Sequence, residues 1–167
     1  NISRTHFKRE DLAEHICRIV DKYDVPHHLI ELELTESAFF DDKHMILNTV
    51  KRMQELGFIV SMDDFGSGYS SLNSLKELRL DVLKIDGEFF RGLDAECFKD
   101  GSNVEERGLL IVSEVIDLAK KLNMQIVAEG IESREQVDFL VSQECDLIQG
   151  YFFAKPMPVE EFVAKYN

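Results

Sequence analysis

The sequence predicts a parallel α/β fold, and three observations carry the prediction. Segments of helical period alternate with short apolar runs along the whole chain. Five of those runs end in a charged or amide side chain at their C-terminal edge. The composition, 44% hydrophobic and 31% charged over 167 residues, is that of one ordinary globular domain.

In residues 11–23, Leu12, Ile16, Ile19, Val20 and Tyr23 fall on one helical face. Residues 29–34 then alternate, with Ile30, Leu32 and Leu34 separated by glutamates, which marks a strand. A helix over residues 42–56 turns Met45, Ile46, Val50 and Met53 inward, and Gly57 stands where a left-handed C-cap belongs. Residues 58–62 read as a buried strand that stops at Asp63-Asp64. A glycine-containing loop follows, then a short helix carrying Leu72, Leu75 and Leu78, then a third strand over residues 81–86. Between 87 and 104 the pattern is lost, and residues 99–103 read as a loop. A long helix to Leu122 leads into a strand at 125–128. Ser133 with Gln136 forms a capping box for a helix reaching Cys145. A strand at 147–149 and a helix after Pro158 come last.

Lys and Arg total 19 against 32 Asp and Glu, a net charge of -13, which argues against DNA, RNA or an anionic membrane as a general partner. No apolar run approaches the ~18 residues that span a bilayer. The opening residues, Asn1 to His6, do not form a signal peptide. Cys17, Cys97 and Cys145 make no CxxC pair and leave an odd thiol, the pattern of a reducing compartment. All three read as buried, inert thiols. A cytoplasmic domain is expected, whether or not a parent protein is membrane-anchored. The five histidines, His6, His15, His27, His28 and His44, lie away from the strand ends and read as ordinary helix or loop residues.

The polar strand ends are Glu33, Asp63, Lys84 with Asp86, Glu129 and Gln149. Buried parallel strands normally read as unbroken Val, Ile and Leu, and the C-terminal strand edge is where such folds build their sites. One such group could simply start a loop or cap a helix. Five in succession point to a site. Carboxylates held together repel and raise one another's pKa unless a cation neutralises them. Without histidine or cysteine in the set, the ligand chemistry favours Mg²⁺ or Mn²⁺ over zinc. The pair Asp63-Asp64 suits two ions, a usual apparatus for phosphoester hydrolysis. Lys84 adds a fixed positive charge near the same water or phosphate. The loop after Asp64 fits neither GxxxxGK[ST] nor GxGxxG and reads as a plain loop or a flap.

DDFGSGYSSL, followed by LDVLKID, AEGIES and QGYFFAKPMP, with NIS and ELELTES ahead of them, resembles the EAL-domain family of cyclic di-GMP phosphodiesterases in order and over essentially all of the chain. The resemblance implies a TIM-type (β/α)8 barrel, here incomplete with the N-terminal strands missing, so that residues 1–167 form a single partial EAL domain. It implies metal-dependent hydrolysis of cyclic di-GMP to linear pGpG in bacterial second-messenger signalling, with Mg²⁺ or Mn²⁺ in a two-metal site. By the same resemblance Asn1, Glu33 and Asp63 are ligands of one metal and Asp64 is a ligand of the second. Lys84 holds the attacking water, and Glu129 binds metal or activates that water. Lys84, Glu129 and Asp64 are thus the catalytic group, with Glu132 and Gln149 in support. Glu36 resembles the glutamate that anchors the loop after the aspartate pair, a loop the family uses in dimer contact. A homodimer or other self-association, and an upstream sensory or cyclase domain, are the partners that the resemblance implies.

The family's Glu-Ala-Leu signature, and an arginine that touches substrate phosphate shortly after it, are absent from these residues. The sequence opens at the asparagine that ends the family's third strand. The isolated chain is therefore expected to be weakly active or inactive. It should also expose apolar surface along Ile2 and the 147–149 strand, where further strands would pair. Between Lys84 and Glu129 the connection is longer than usual, around residues 97–105. Two other readings stand beside the enzyme. One is a non-catalytic receptor or scaffold that binds cyclic di-GMP or a protein; loss of Asp63, Asp64, Lys84 or Glu129 would favour it, and all four are present. The other is a receiver-like doubly wound domain, which gains from the acidic pair and the lysine but fails on their order.

Overall fold

The computed structural model describes residues 1–3, 5–9, 11–35, 43–66, 72–90 and 103–166. Five short strands, β1 (Glu31–Thr35), β2 (Ile59–Phe65), β3 (Val82–Ile85), β4 (Gln125–Ala128) and β5 (Leu147–Ile148), lie side by side in sequence order. Each neighbouring pair is parallel. A doubly wound sheet reverses its strand order part-way, whereas sequential order is the wall of a (β/α) barrel. The receiver-like reading is excluded by that order.

Helix α1 (Leu12–Asp21) precedes β1, and between the strands run α2 (Lys43–Glu55), α3 (Leu72–Glu77), α4 (Asn103–Lys121) and α5 (Arg134–Ser142), with α6 (Val159–Tyr166) at the end. Side chains alternate between the two faces of a strand, and here the faces differ in kind. Leu32, Leu34, Val60, Met62, Leu83, Ile85, Ile126 and Ala128 meet Leu12, Ile46, Val50, Met53, Ile116 and Leu140 from the helices in one core. The opposite face carries Glu33, Ser61, Asp63, Lys84 and Val127. Val82 and Val127 are buried there but stand apart from the helix-side core. This second face corresponds to the barrel interior, and it is the one that positions the polar strand ends.

Gly57 follows α2 at φ +91°, the left-handed turn its position implies. Ser133 and Gln136 form a reciprocal capping box at the start of α5. Several boundaries and one short element differ from expectation. Helix α1 ends at Asp21, and His27–Leu29 forms a 3-10 turn, so β1 begins at Glu31. Strand β2 does not stop at the aspartate pair but runs on through Phe65. Gly87–Phe90 is a 3-10 helix where no periodicity shows, because Asp86 Oδ1 accepts the Glu88 amide at 2.6 Å and turns the chain locally. Helix α5 ends at Ser142, short of Cys145. Glu36, most of the loop after Gly66, Cys97 and the connection through residue 102 lie outside the described residues. Cys17 and Cys145 are half-buried rather than fully buried, and burial pushes both thiols up from their ordinary pKa.

The expected apolar surface is present at one edge only. Leu147, Phe153, Phe162 and Val159 are exposed around a groove of about 690 Å³ between β5 and α6. Ile2, by contrast, is buried; its amide donates to the Glu33 carbonyl at 2.8 Å in a single parallel bridge to Leu34. Among the described residues no helix is long and apolar enough to cross a membrane.

Candidate active site

Because the strands run in sequence order, side chains from consecutive strand ends become neighbours. Lys84 is the hub. Its side chain is only 11% exposed, and its Nζ lies 2.5 Å from Glu33 Oε1, 2.9 Å from Glu129 Oε1 and 3.4 Å from Asp63 Oδ1. Four elements are thereby tied at one point: β1, β2, β3 and the residue immediately after β4.

A bulge sets the aspartates. Met62 pairs with Leu83 and Phe65 with Ile85, so three steps along β2 match two along β3. The extra residue falls at Asp63-Asp64, opposite Lys84. Asp64 takes it up with φ +56°, a left-handed conformation that aspartate tolerates better than most side chains. Its amide donates to Asp63 Oδ1 at 3.1 Å. Gly66 follows at φ +105°, and a Cβ there would lie inside the Phe89 ring. Any side chain there would be strained by the positive φ and would have to displace Phe89.

The charges respond to this crowding. A hydrogen bond from Lys84 holds the Glu33 carboxyl below its ordinary pKa, with the Asn1 side chain bonding the same group. Burial works against charge on Lys84, but its bonds to Glu33 and Glu129 outweigh burial and raise its pKa. Burial dominates at Glu129, which is raised despite the Lys84 contact. Asp64 is raised as well, by burial and then by repulsion from Asp63 and Asp86. Three carboxylates contact one ammonium and Asp64 stands close beside them, so the cluster keeps an excess of negative charge.

Of the residues singled out in the sequence, Asn1, Glu33, Asp63, Asp64, Lys84 and Glu129 come together. Glu132 and Gln149 do not join this cluster: both are exposed, and their hydrogen bonds run through backbone groups, Glu132 N to Gln136 Oε1 and Gln149 N to the Ala128 carbonyl. Asp86 acquires a part that sequence reasoning left open, capping the Gly87–Phe90 turn while facing Asp64. The arrangement can hold a hard divalent cation on oxygen donors and present a fixed ammonium to an anion.

A model of the EAL domain matches residues 1–156. This chain belongs to the EAL domain family. It is 34% identical to the cyclic di-GMP phosphodiesterase NbdA of Pseudomonas aeruginosa over all of this chain and 21% of that protein. Among solved structures it superposes on the PaMucR phosphodiesterase in complex with c-di-GMP with a TM-score of 0.81 and 33% identity, over 97% of this chain and 62% of that one. It superposes on the EAL domain of Mycobacterium smegmatis DcpA with a TM-score of 0.83 and 31% identity, over 99% and 70%. The chain spans about a fifth of the length of the curated relatives it matches first.

Proposed function

We propose that this chain carries the catalytic wall of a cyclic di-GMP phosphodiesterase, which hydrolyses the cyclic dinucleotide to linear pGpG with Mg²⁺ or Mn²⁺. The observation that carries this reading is the convergence of Glu33, Asp63 and Glu129 on Lys84 at the C-terminal mouth of the sheet. The names of the relatives support the substrate class.

The donor set fits a divalent ion. It consists of oxygens alone, and its surplus negative charge is the kind that a hard cation cancels. Glu33, Asp63 and the Asn1 amide would hold one ion, and Asp64 with Glu129 a second. Bound there, such ions supply Lewis acidity toward phosphate and lower the pKa of water. Lys84, kept protonated by its three carboxylates, acts as a fixed positive charge rather than as a base. It places a water or a phosphate oxygen beside Glu129 and offsets charge that builds on phosphorus. Glu129, whose pKa burial raises, is suited to take the proton from that water as one P–O bond forms and the bond to the ribose oxygen breaks, the freed ribose oxygen taking up a proton from solvent to leave as a hydroxyl.

The test is hydrolysis of cyclic di-GMP by the purified chain in saturating Mg²⁺ or Mn²⁺, with nucleotide binding measured in parallel. Nucleotide binding with at most weak turnover, which requires the ion and which Asp63→Asn abolishes, is the expected result for this chain. Undiminished turnover in Asp63→Asn overturns the site assignment. Neither turnover nor binding in the wild-type chain overturns the function.

A further inference from the structure

A second cluster of ligating groups lies at the opposite, N-terminal edge of the sheet. Cys17 and Asp21 stand one turn apart on α1, so their side chains share a face. His27 opens the 3-10 turn ahead of β1. Cys17 Sγ lies 3.3 Å from Asp21 Oδ2 and 3.9 Å from His27 Nε2, and His27 Nε2 lies 2.8 Å from Asp21 Oδ1. One ligand atom from each residue falls within 4.8 Å of the other two. Tetrahedral zinc on sulfur, nitrogen and oxygen donors separates them by about 3.3–3.6 Å. Sulfur and nitrogen stand a few tenths of an ångström beyond that range, and Asp21, which meets them through different carboxylate oxygens, is exposed and free to turn one oxygen to the ion.

The imidazole is already oriented. Its Nδ1 sits 2.6 Å from the Leu56 carbonyl oxygen, which can only accept, so Nδ1 carries the hydrogen and Nε2 is the ligand atom. A ring N–H donated to a backbone carbonyl is the usual second partner of a metal-bound histidine. The ring also stacks on Phe58, with centroids 4.5 Å apart. With Nδ1 committed, the short contact between Nε2 and the Asp21 carboxylate requires a positive species between them, either a proton or a metal ion. The neighbouring cation Arg52 does not provide it, being paired with Glu14 at 2.7 Å and Glu55 at 3.4 Å.

We propose that Cys17, Asp21 and His27 form a binding site for a divalent transition ion of the zinc class, with three protein donors and a solvent-facing fourth position. Thiolate, carboxylate and neutral imidazole together carry the charge that one divalent ion cancels. Binding displaces the thiol proton and the proton between Asp21 and His27. The ion clamps the end of α1 to the turn ahead of β1. Its mixed sulfur, nitrogen and oxygen donors differ from the all-oxygen set at the other edge, so the two sites select different ions.

Titration of the purified chain with Co²⁺, in wild type and in Asp63→Asn, tests this. Cobalt held by Cys17 gives a thiolate-to-metal charge-transfer band, which an oxygen-only site cannot produce. The expected band saturates at one ion per chain, is bleached by Zn²⁺, and persists in Asp63→Asn, Cys97→Ser and Cys145→Ser. It disappears in Cys17→Ser, and His27→Gln weakens cobalt affinity at least ~10-fold. No band in folded wild-type chain at millimolar Co²⁺, or a band that survives Cys17→Ser, overturns the site. If circular dichroism shows Cys17→Ser unfolded, His27→Gln decides, and unchanged affinity there overturns it.

Discussion

Carboxylates stand at both ends of the strands, and they meet different partners. At the N-terminal edge, Asp81 accepts the Val60 amide at 2.8 Å and Gln54 Nε2 at 3.0 Å, and Asp146 accepts the Ile126 amide at 2.8 Å. Each satisfies a strand amide that would otherwise lack a partner. At the C-terminal edge, Glu33, Asp63 and Glu129 instead compete for one ammonium. The first arrangement stabilises the sheet and leaves little charge to offer a ligand. The second costs stability and leaves charge available for binding.

The largest effect should come from removing the hub. Lys84→Met leaves three neighbouring carboxylates without their cation, and unfolding in urea at pH 7 should show a loss of about 3 kcal/mol. The gap to wild type should narrow on acidification. Glu33, whose folded pKa Lys84 depresses, contributes stability above its unfolded value of about 4.3 and loses it as pH falls through the folded value. The variant lacks that contribution at any pH. A gap that stays constant down to pH ~3 would show that Lys84 acts through packing alone.

Next, Asp81→Ala should cost about 1–2 kcal/mol by stranding the Val60 amide, and Mg²⁺ or Mn²⁺ should not change that figure. Asp63→Asn should be the converse. In metal-free buffer its stability should stay within about 1 kcal/mol of wild type, because losing one charge relieves repulsion on Asp64 and Glu129. Equal losses in these two variants would erase the distinction between the edges.

The smallest effect concerns His27. Its bond to the Leu56 carbonyl and then its bond to Asp21 raise its pKa above the ordinary 6.5. Cys17 and Asp21 face the ring from α1. The stabilisation is fully present below pH about 6.5 and is lost as pH rises through the raised folded value. In chelator, wild type should therefore lose its thermal advantage over His27→Gln as pH rises above about 6.5. A growing advantage over that rise would contradict the assigned protonation.

Much of the site is legible before folding, because a sequential parallel sheet sets consecutive strand ends beside one another. Glu33, Asp63, Lys84 and Glu129 needed only that rule to converge. Gln149 follows β5 as closely as Glu129 follows β4, yet its side chain is exposed, and nothing in the residue pattern separates the two; Glu132, four residues past β4, is exposed as well. The turn at Gly87–Phe90 is too short to display a period. The cluster of Cys17, Asp21 and His27 is the hardest to read. The Cys17/Asp21 spacing is visible on one helix face, but His27 arrives through a loop and a ring–carbonyl bond to Leu56, a residue 29 positions away.

The bulge in β2 also bears on insertions and deletions. Phe65 has the same sequence parity as Ser61 and Asp63, yet it sits in the helix-side core with Met62, because the extra residue inverts the alternation beyond it. Deleting Asp64 alone would bring Met62, one aspartate and Phe65 into step with Leu83, Lys84 and Ile85. A central strand seldom tolerates a one-residue deletion, since every later side chain changes face. Here the deletion would restore regular pairing and keep the core intact while removing one carboxylate. The second aspartate is thus an addition to the strand that the sheet itself does not require.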